Sequence, residues 1–416
     1  MANQETRFEA LDAWRGLSAV LVAMFHLQAY SHIYGSPFLQ HSYLFVDFFF
    51  VLSGFVITAS YRKKLLAGFS FWNFMLLRLG RLYPLHIAIL AAFIGIELLR
   101  YRYSGLLGGE MGDKFSGART ITAIVTNVFL VQSLGVHSML TWNLPSWSIS
   151  VEFYTYAVFA IALVLLRRRF HIFVAFVILM APILLLIFVG QINTDYEFGM
   201  IRCLLGFFIG SVCFDLYPLV KRKEKEYVGS NIAATMSLVE ICSVGLVILF
   251  VCFCGNGPIS LAAPLIFGIT VIIFSLESGV VSKVLKTRPF LFLGTLSYSI
   301  YMMHALVLVA MGYAIQLAER EFGIVLRKDG YFGAQMWQGD IFYVVYIWLV
   351  VGTAYLTYTF IEQPGRRQSR KLAGQIFGTA KPTMLAGNSV YGEHSRRAEN
   401  DEQRTQTAQE TPAGTV

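Results

Sequence analysis

Ten apolar runs, most of them close to the length of a membrane crossing, alternate along the chain with short polar breaks. A hydrocarbon core about 30 Å thick takes about 20 helical residues to cross. The pattern therefore predicts an all-α, polytopic membrane bundle, with spans near residues 14–30, 43–61, 77–99, 146–166, 171–190, 196–217, 231–254, 259–277, 290–315 and 340–362. If the N-terminus is cytoplasmic, the inner breaks hold Arg62, Lys63 and Lys64, then Arg167, Arg168 and Arg169, then Lys221, Arg222, Lys223 and Lys225, then Lys283, Lys286 and Arg288. Arg366, Arg367, Arg370 and Lys371 follow the last run, whereas three of the five outer breaks have no Lys or Arg. Basic residues concentrate on the cytosolic side of membrane proteins, so both termini are expected there.

The run from Ile121 to Gly135 is apolar but short, and Asn127 and Gln132 interrupt it. Counting it as a crossing would invert everything after it and move three basic clusters outside. It is expected to be a re-entrant or interfacial segment on the outer side. Residues 1–366 then form one transmembrane unit, and the polar stretch 367–416 is expected to be a disordered cytoplasmic tail. Arg15 breaks the first run and no small-residue cleavage pattern follows it, so that helix is expected to stay in the mature protein.

Composition agrees with the pattern. Of 416 residues 56% are hydrophobic and 14% charged, and the mean hydropathy is +0.60. The net charge of +8 sits in clusters between apolar runs, which reads as topology signals, with no nucleic-acid partner expected. All five cysteines lie inside apolar segments without zinc-type spacing, so neither a disulfide frame nor a metal site is expected.

Polar residues inside the spans carry the candidate chemistry, because each costs free energy in hydrocarbon. Arg15 and His26 lie eleven residues apart in the first run. That spacing is about three helical turns, so both share one face, about 16 Å apart along the axis. Asp47 opens the second span near the depth of His26, where a carboxylate would hold the imidazole in one tautomer; a helix N-terminal charge is the plainer reading. Arg78 and Arg81, one turn apart, put two guanidiniums level with Arg15, a fitting receptor for phosphates arriving from the cytosol. Glu152 lies near the outer end of the fourth span and needs a partner, with His26 and Arg202 as the candidates. Trp147 reads as an interfacial anchor or a substrate contact. Tyr298, Tyr301 and His304 in "LSYSIYMMH", and Glu362 in "YTFIEQP", are further polar positions whose chemistry is less legible. Two poles emerge: arginines toward the cytosol, and His26 with carboxylates toward the outside.

The ordered set "WRGLSAVLVAMFH", "DFFFVLSGFVIT", "RLGRLYPLH", "WSISVEFYTY", "LGTLSYSIYMMH" and "FIEQP" resembles the acyltransferase type 3 family of integral membrane acyltransferases, from about residue 8 to 366. The resemblance implies ten transmembrane helices in a bacterial cytoplasmic (inner) membrane. It also implies transfer of an acyl group, commonly acetyl from cytosolic acetyl-CoA, to a hydroxyl of a cell-surface or exported glycan. On it, His26 is the catalytic histidine with Arg15 as its paired arginine, Arg78 and Arg81 are the family's arginine pair, and Glu152 belongs to its Trp-Ser-x-x-x-Glu motif.

The expected mechanism has His26, oriented by Asp47 or Glu152, taking the proton of an acceptor hydroxyl as it attacks the thioester. Arg15, Arg78 and Arg81 then hold the phosphates of acyl-CoA, a co-substrate and no bound cofactor, while Trp147, Arg202 and His304 face the acceptor. An acyl-histidine intermediate stays open, as do succinyl in place of acetyl, the acceptor and the oligomeric state. The rival reading is a transporter or flippase for a lipid-linked sugar, with the same polar residues lining a path.

Overall fold

The computed structural model of the chain describes residues 7–102, 116–226 and 232–378. Its long helices are α1 (Glu9–His26), α2 (Phe45–Leu66), α3 (Phe71–Arg102), α4 (Ser146–Leu166), α5 (Phe170–Phe188), α6 (Gly199–Glu226), α7 (Ile232–Cys254), α8 (Ala263–Ser275), α9 (Arg288–Phe322) and α10 (Met336–Thr357). Among the described residues, eight segments are long and apolar enough to cross a membrane. One of them, Ser146–Phe188, bends at Arg167–Arg169, where Arg167 takes a φ of 43°, and so supplies both α4 and α5. Helix α1 falls outside the eight because Glu9, Asp12 and Arg15 lower its hydropathy. The architecture is a polytopic helical bundle.

Small residues decide which helices touch. The buried face of α1 is mostly Ala, Gly and Ser, with Ala10, Ala13, Gly16, Ser18, Ala19 and Ala23 among them. A Cβ added at Gly16 would run into the backbone of Leu293 and Gly294, and one at Gly294 into the backbone of Asp12. Without large side chains between them, α1 and α9 pack backbone to backbone, the close approach that small residues allow in membranes. Asp12 lies against Gly294 and His26 against His304, so the two helices run parallel. Helices α2 and α6 meet in the same way through Gly54, Gly206 and Gly210. Helix α2 is central: 78% of its apolar stretch is buried, against 17% for the segment 336–377.

Several expectations need correction. Helix α1 stops at His26 instead of residue 30, because Leu27 turns to extended backbone. The next residues bind a small antiparallel hairpin absent from the all-helical expectation, β1 (Arg327–Lys328) and β2 (Tyr331–Phe332). Its turn residues Asp329 and Gly330 both have positive φ, the pattern an Asp-Gly turn favours. The Tyr30 N–H donates to Phe332 O (2.9 Å), the Phe332 N–H donates to Gln28 O (2.9 Å), and Tyr343 Oη donates to Leu27 O (2.8 Å). The chain directly after His26 is thus pinned.

Within Ile121 to Gly135 the helix Ile121–Val128 has only eight residues, about 12 Å, too short to cross. Its interrupting polar groups are engaged: Asn127 Nδ2 donates to Thr141 Oγ1 (2.9 Å) and Gln132 Nε2 to Ser146 O (3.1 Å). Residues 367–377, assigned to the tail by composition, are helical within Gln363–Phe377. Residues 374–378 are the last described; the rest of the expected tail and the Lys225 side chain lie outside the described residues.

Candidate active site

Helices α1, α2, α3, α4 and α9 line a cavity with an empty volume of about 790 Å³, its open mouth included. Three of its lining residues are arginines, each in a different state. Arg15 is tied down: its Nε donates to Ser297 Oγ (2.7 Å) and its Nη2 to Gly294 O (3.2 Å), with Asp12 at 3.2 Å. Arg78 leans on Tyr61, its guanidinium carbon 4.8 Å from the ring centre and its Nη2 donating to the Tyr61 hydroxyl (2.9 Å). Its Nε is buried without a partner. Arg81 lines the cavity, and no hydrogen bond or ion pair joins it to another described residue. Arg81 feels the charges of Glu362 and Glu152 without bonding to either, so its guanidinium donors are open to an anion arriving in the cavity.

The facing wall is polar but less charged. Tyr156 Oη donates to Glu152 Oε1 (2.6 Å) and lies 2.9 Å from Ser53 Oγ. Tyr301 Oη and Ser148 Oγ are 2.9 Å apart, and Tyr298 Oη donates to Leu82 O (2.5 Å). At the same end of α1 as Arg15, the π-helical turn Tyr358–Glu362 places the Glu362 carboxylate beneath α9. There it accepts from Ser299 Oγ (2.8 Å) and lies 3.4 Å from Arg366. Of the nine predicted site residues, Arg15, Arg78, Arg81 and Glu152 line this one cavity.

His26 and His304 sit beyond it, neither being among the lining residues. Their ring centres are 4.8 Å apart. Tyr301 belongs to both places, lining the cavity with its ring centre 5.8 Å from that of His304. His26 is half-buried, and its Nδ1 lies 2.8 Å from Val22 O. A carbonyl only accepts, so Nδ1 carries the proton and Nε2 is the basic nitrogen of the neutral ring.

The predicted partners of His26 are elsewhere. Asp47 accepts from Arg202 Nε (2.9 Å) and Nη2 (2.8 Å), a closed fork between two fully buried side chains. Arg202 also donates to Thr194 O (3.0 Å), and its guanidinium carbon lies 5.4 Å from the ring centre of Trp147. Asp47 therefore does not orient His26, and Glu152, held by Tyr156, pairs with neither His26 nor Arg202. Trp147 and Arg202 are both buried and are not among the residues lining this cavity. The Val22 carbonyl holds His26 in place of a carboxylate.

Sequence reasoning also passed over Ser53, Tyr61, Ser148 and Ser297. One signal was available: Ser297, Tyr298 and Tyr301 recur at near-helical spacing in the same run as His304.

This arrangement accompanies a match over residues 8–359 to the family described as an acyltransferase domain. The chain belongs to that acyltransferase family. It is 23% identical over 388 residues to the O-acetyltransferase OatA of Staphylococcus aureus, covering 87% of this chain and 57% of that protein. It is 32% identical over 163 residues to protein 2 in the picA locus of Rhizobium radiobacter, covering 37% of this chain and 81% of that one. A third relative is the acyltransferase MdmB of Streptomyces mycarofaciens, 33% identical over 125 residues, or 30% of this chain and 29% of that protein. No solved structure matches. With its apolar helices, this acyltransferase is a multi-pass membrane protein.

Proposed function

We propose that the protein is an O-acyltransferase of a bacterial cytoplasmic membrane, moving a short acyl group, acetyl in the first instance, from cytosolic acyl-CoA to a hydroxyl of an exported or cell-surface glycan. One observation carries this reading. A single face of α1 bears both Arg15, in the wall of a cavity shared with Arg78 and Arg81, and His26, whose only uncommitted ring nitrogen is Nε2. The arginines suit the phosphates of the donor, and its narrow thioester arm follows α1 toward His26, passing Tyr301.

At His26 the acceptor hydroxyl gives its proton to Nε2 as its oxygen attacks the thioester carbonyl carbon. The carbon–sulfur bond then breaks, and the departing sulfur takes the proton back from Nε2. General-base assistance of this kind contributes about 10²–10⁴ in rate. The likeness to an O-acetyltransferase supports acetyl as the group and a hydroxyl as its destination.

The test uses purified protein in lipid nanodiscs with labelled acetyl-CoA and a glycan acceptor bearing free hydroxyls. His26→Ala is expected to abolish transfer to the acceptor while leaving donor binding intact. Full transfer by that variant would end the reading.

A further inference from the structure

His304 is the one predicted site residue that the structure brings to His26. Its side chain is completely buried. Its Nδ1 lies 2.6 Å from Tyr301 O, an acceptor only, so Nδ1 carries the proton. Its Nε2 is therefore a bare lone pair, buried and without a partner. Tyr346 Oη donates to the His304 carbonyl (3.1 Å), fixing the backbone at that point. Leaving a basic nitrogen unsatisfied in the middle of a bundle is costly, and a fully buried histidine with one idle nitrogen beside a half-exposed histidine is not explained by packing. An apolar side chain would fill the space without that cost.

We propose that His304 is a positioning residue for the acyl-transfer step, its neutral ring held so that the negative end of its dipole stabilises the imidazolium formed on His26. This rests on His26 being the base of the proposed reaction. The Nδ1–H bond to Tyr301 O sets the ring's orientation, and the dipole is in place before the proton moves, which is how a preorganised group lowers a barrier. His304 itself changes protonation at no stage: the proton goes from the acceptor hydroxyl to His26 Nε2 and on to the leaving sulfur. Among the described residues, the other titratable groups near the pair are tyrosines. Tyr301 comes from α9, Tyr343 and Tyr346 come from α10, and Tyr43 packs against Phe25 beside His26. The nearest carboxylate on α2, Asp47, is closed on Arg202. His304 is thus the group available to answer a positive charge on His26.

The experiment compares wild type, His304→Leu, His304→Gln and His26→Ala in nanodiscs, with labelled acetyl-CoA and a glycan acceptor. For His304→Leu, kcat is expected to fall about 10- to 100-fold, as for loss of a group supporting a catalytic residue, with the KM for acetyl-CoA unchanged. The acid limb of its pH–rate profile is expected to move to lower pH, because the His26 imidazolium has lost its stabilising neighbour. His304→Gln, which keeps an oxygen acceptor near the Nε2 position, is expected to recover most of the rate and to return the limb toward wild type. Thermal unfolding of each variant separates these effects from misfolding. An unmoved acid limb, a shift to higher pH, or Gln no better than Leu at equal stability overturns the proposal. Transfer retained by His26→Ala instead overturns the reading beneath it.

Discussion

Two sets of buried arginines sit within this bundle, and they mean opposite things. Arg202 is completely enclosed, answered by a bidentate carboxylate and a backbone carbonyl, and stacked near Trp147. Arg81, in the wall of the cavity, makes no hydrogen bond or ion pair with another described residue. A closed pair holds helices α2 and α6 in one register; an open guanidinium waits for a ligand. The residue type is the same in the two cases, so what separates structure from function is whether the protein itself completes the charge.

The largest expected effect breaks the closed set. Arg202→Ala strands Asp47 in the core and is expected to cost about 3–5 kcal/mol of stability, read as a lowered unfolding midpoint in nanodiscs. The paired replacement Asp47→Leu with Arg202→Met removes both charges and is expected to restore most of that stability, because well-packed apolar substitutes for a buried ion pair are often neutral or better. If the paired variant is stable yet inactive, with donor binding preserved, the pair has a chemical role and the comparison fails.

The open set is expected to behave in the reverse manner. Arg81→Gln keeps the side chain's bulk and loses its charge. No hydrogen bond or ion pair to a described residue is lost, so stability should stay within about 0.5 kcal/mol. Binding of acyl-CoA should weaken by about 1.5–3 kcal/mol, the worth of a hydrogen bond to a charged group, or roughly 10- to 150-fold in Kd. Isothermal titration with a non-hydrolysable acyl-CoA analogue measures this. Unchanged affinity would remove Arg81 from the donor site.

The same contrast explains what could be read in advance. The apolar runs announced the spans, and the eleven-residue spacing put Arg15 and His26 on one face, because both are local properties of a helix. Arg15, Arg78 and Arg81 reach one cavity because each lies at a depth that the span boundaries already fix, whereas Glu152, expected at the outer pole, joins them there. The partner of Asp47 was not legible: Arg202 is 155 residues away, and nothing in either span states which helix it will face. His304 reaches His26 only because α1 and α9 touch through Gly16 and Gly294, a contact visible in the sequence as two unremarkable glycines. The end of α1 at His26 depends on a hairpin some 300 residues later, whose Asp-Gly turn is a local signal lost among long apolar runs.

Arg78 lies between the two extremes and gives the finest test. It lines the cavity, yet Tyr61 answers it partly, through the ring face and through one hydrogen bond. Arg78→Lys preserves the charge while losing the planar group that both lies over the ring and donates to the Tyr61 hydroxyl. The attraction for donor phosphates survives and only the aim set by Tyr61 is relaxed, so the Kd for acyl-CoA is expected to rise about two- to fivefold. A loss as large as that of Arg81→Gln would mean that Arg78 also meets the donor through its planar fork, and that Tyr61 merely aims it. No change at all would place Arg78 with Arg202, as an arginine the protein has already completed.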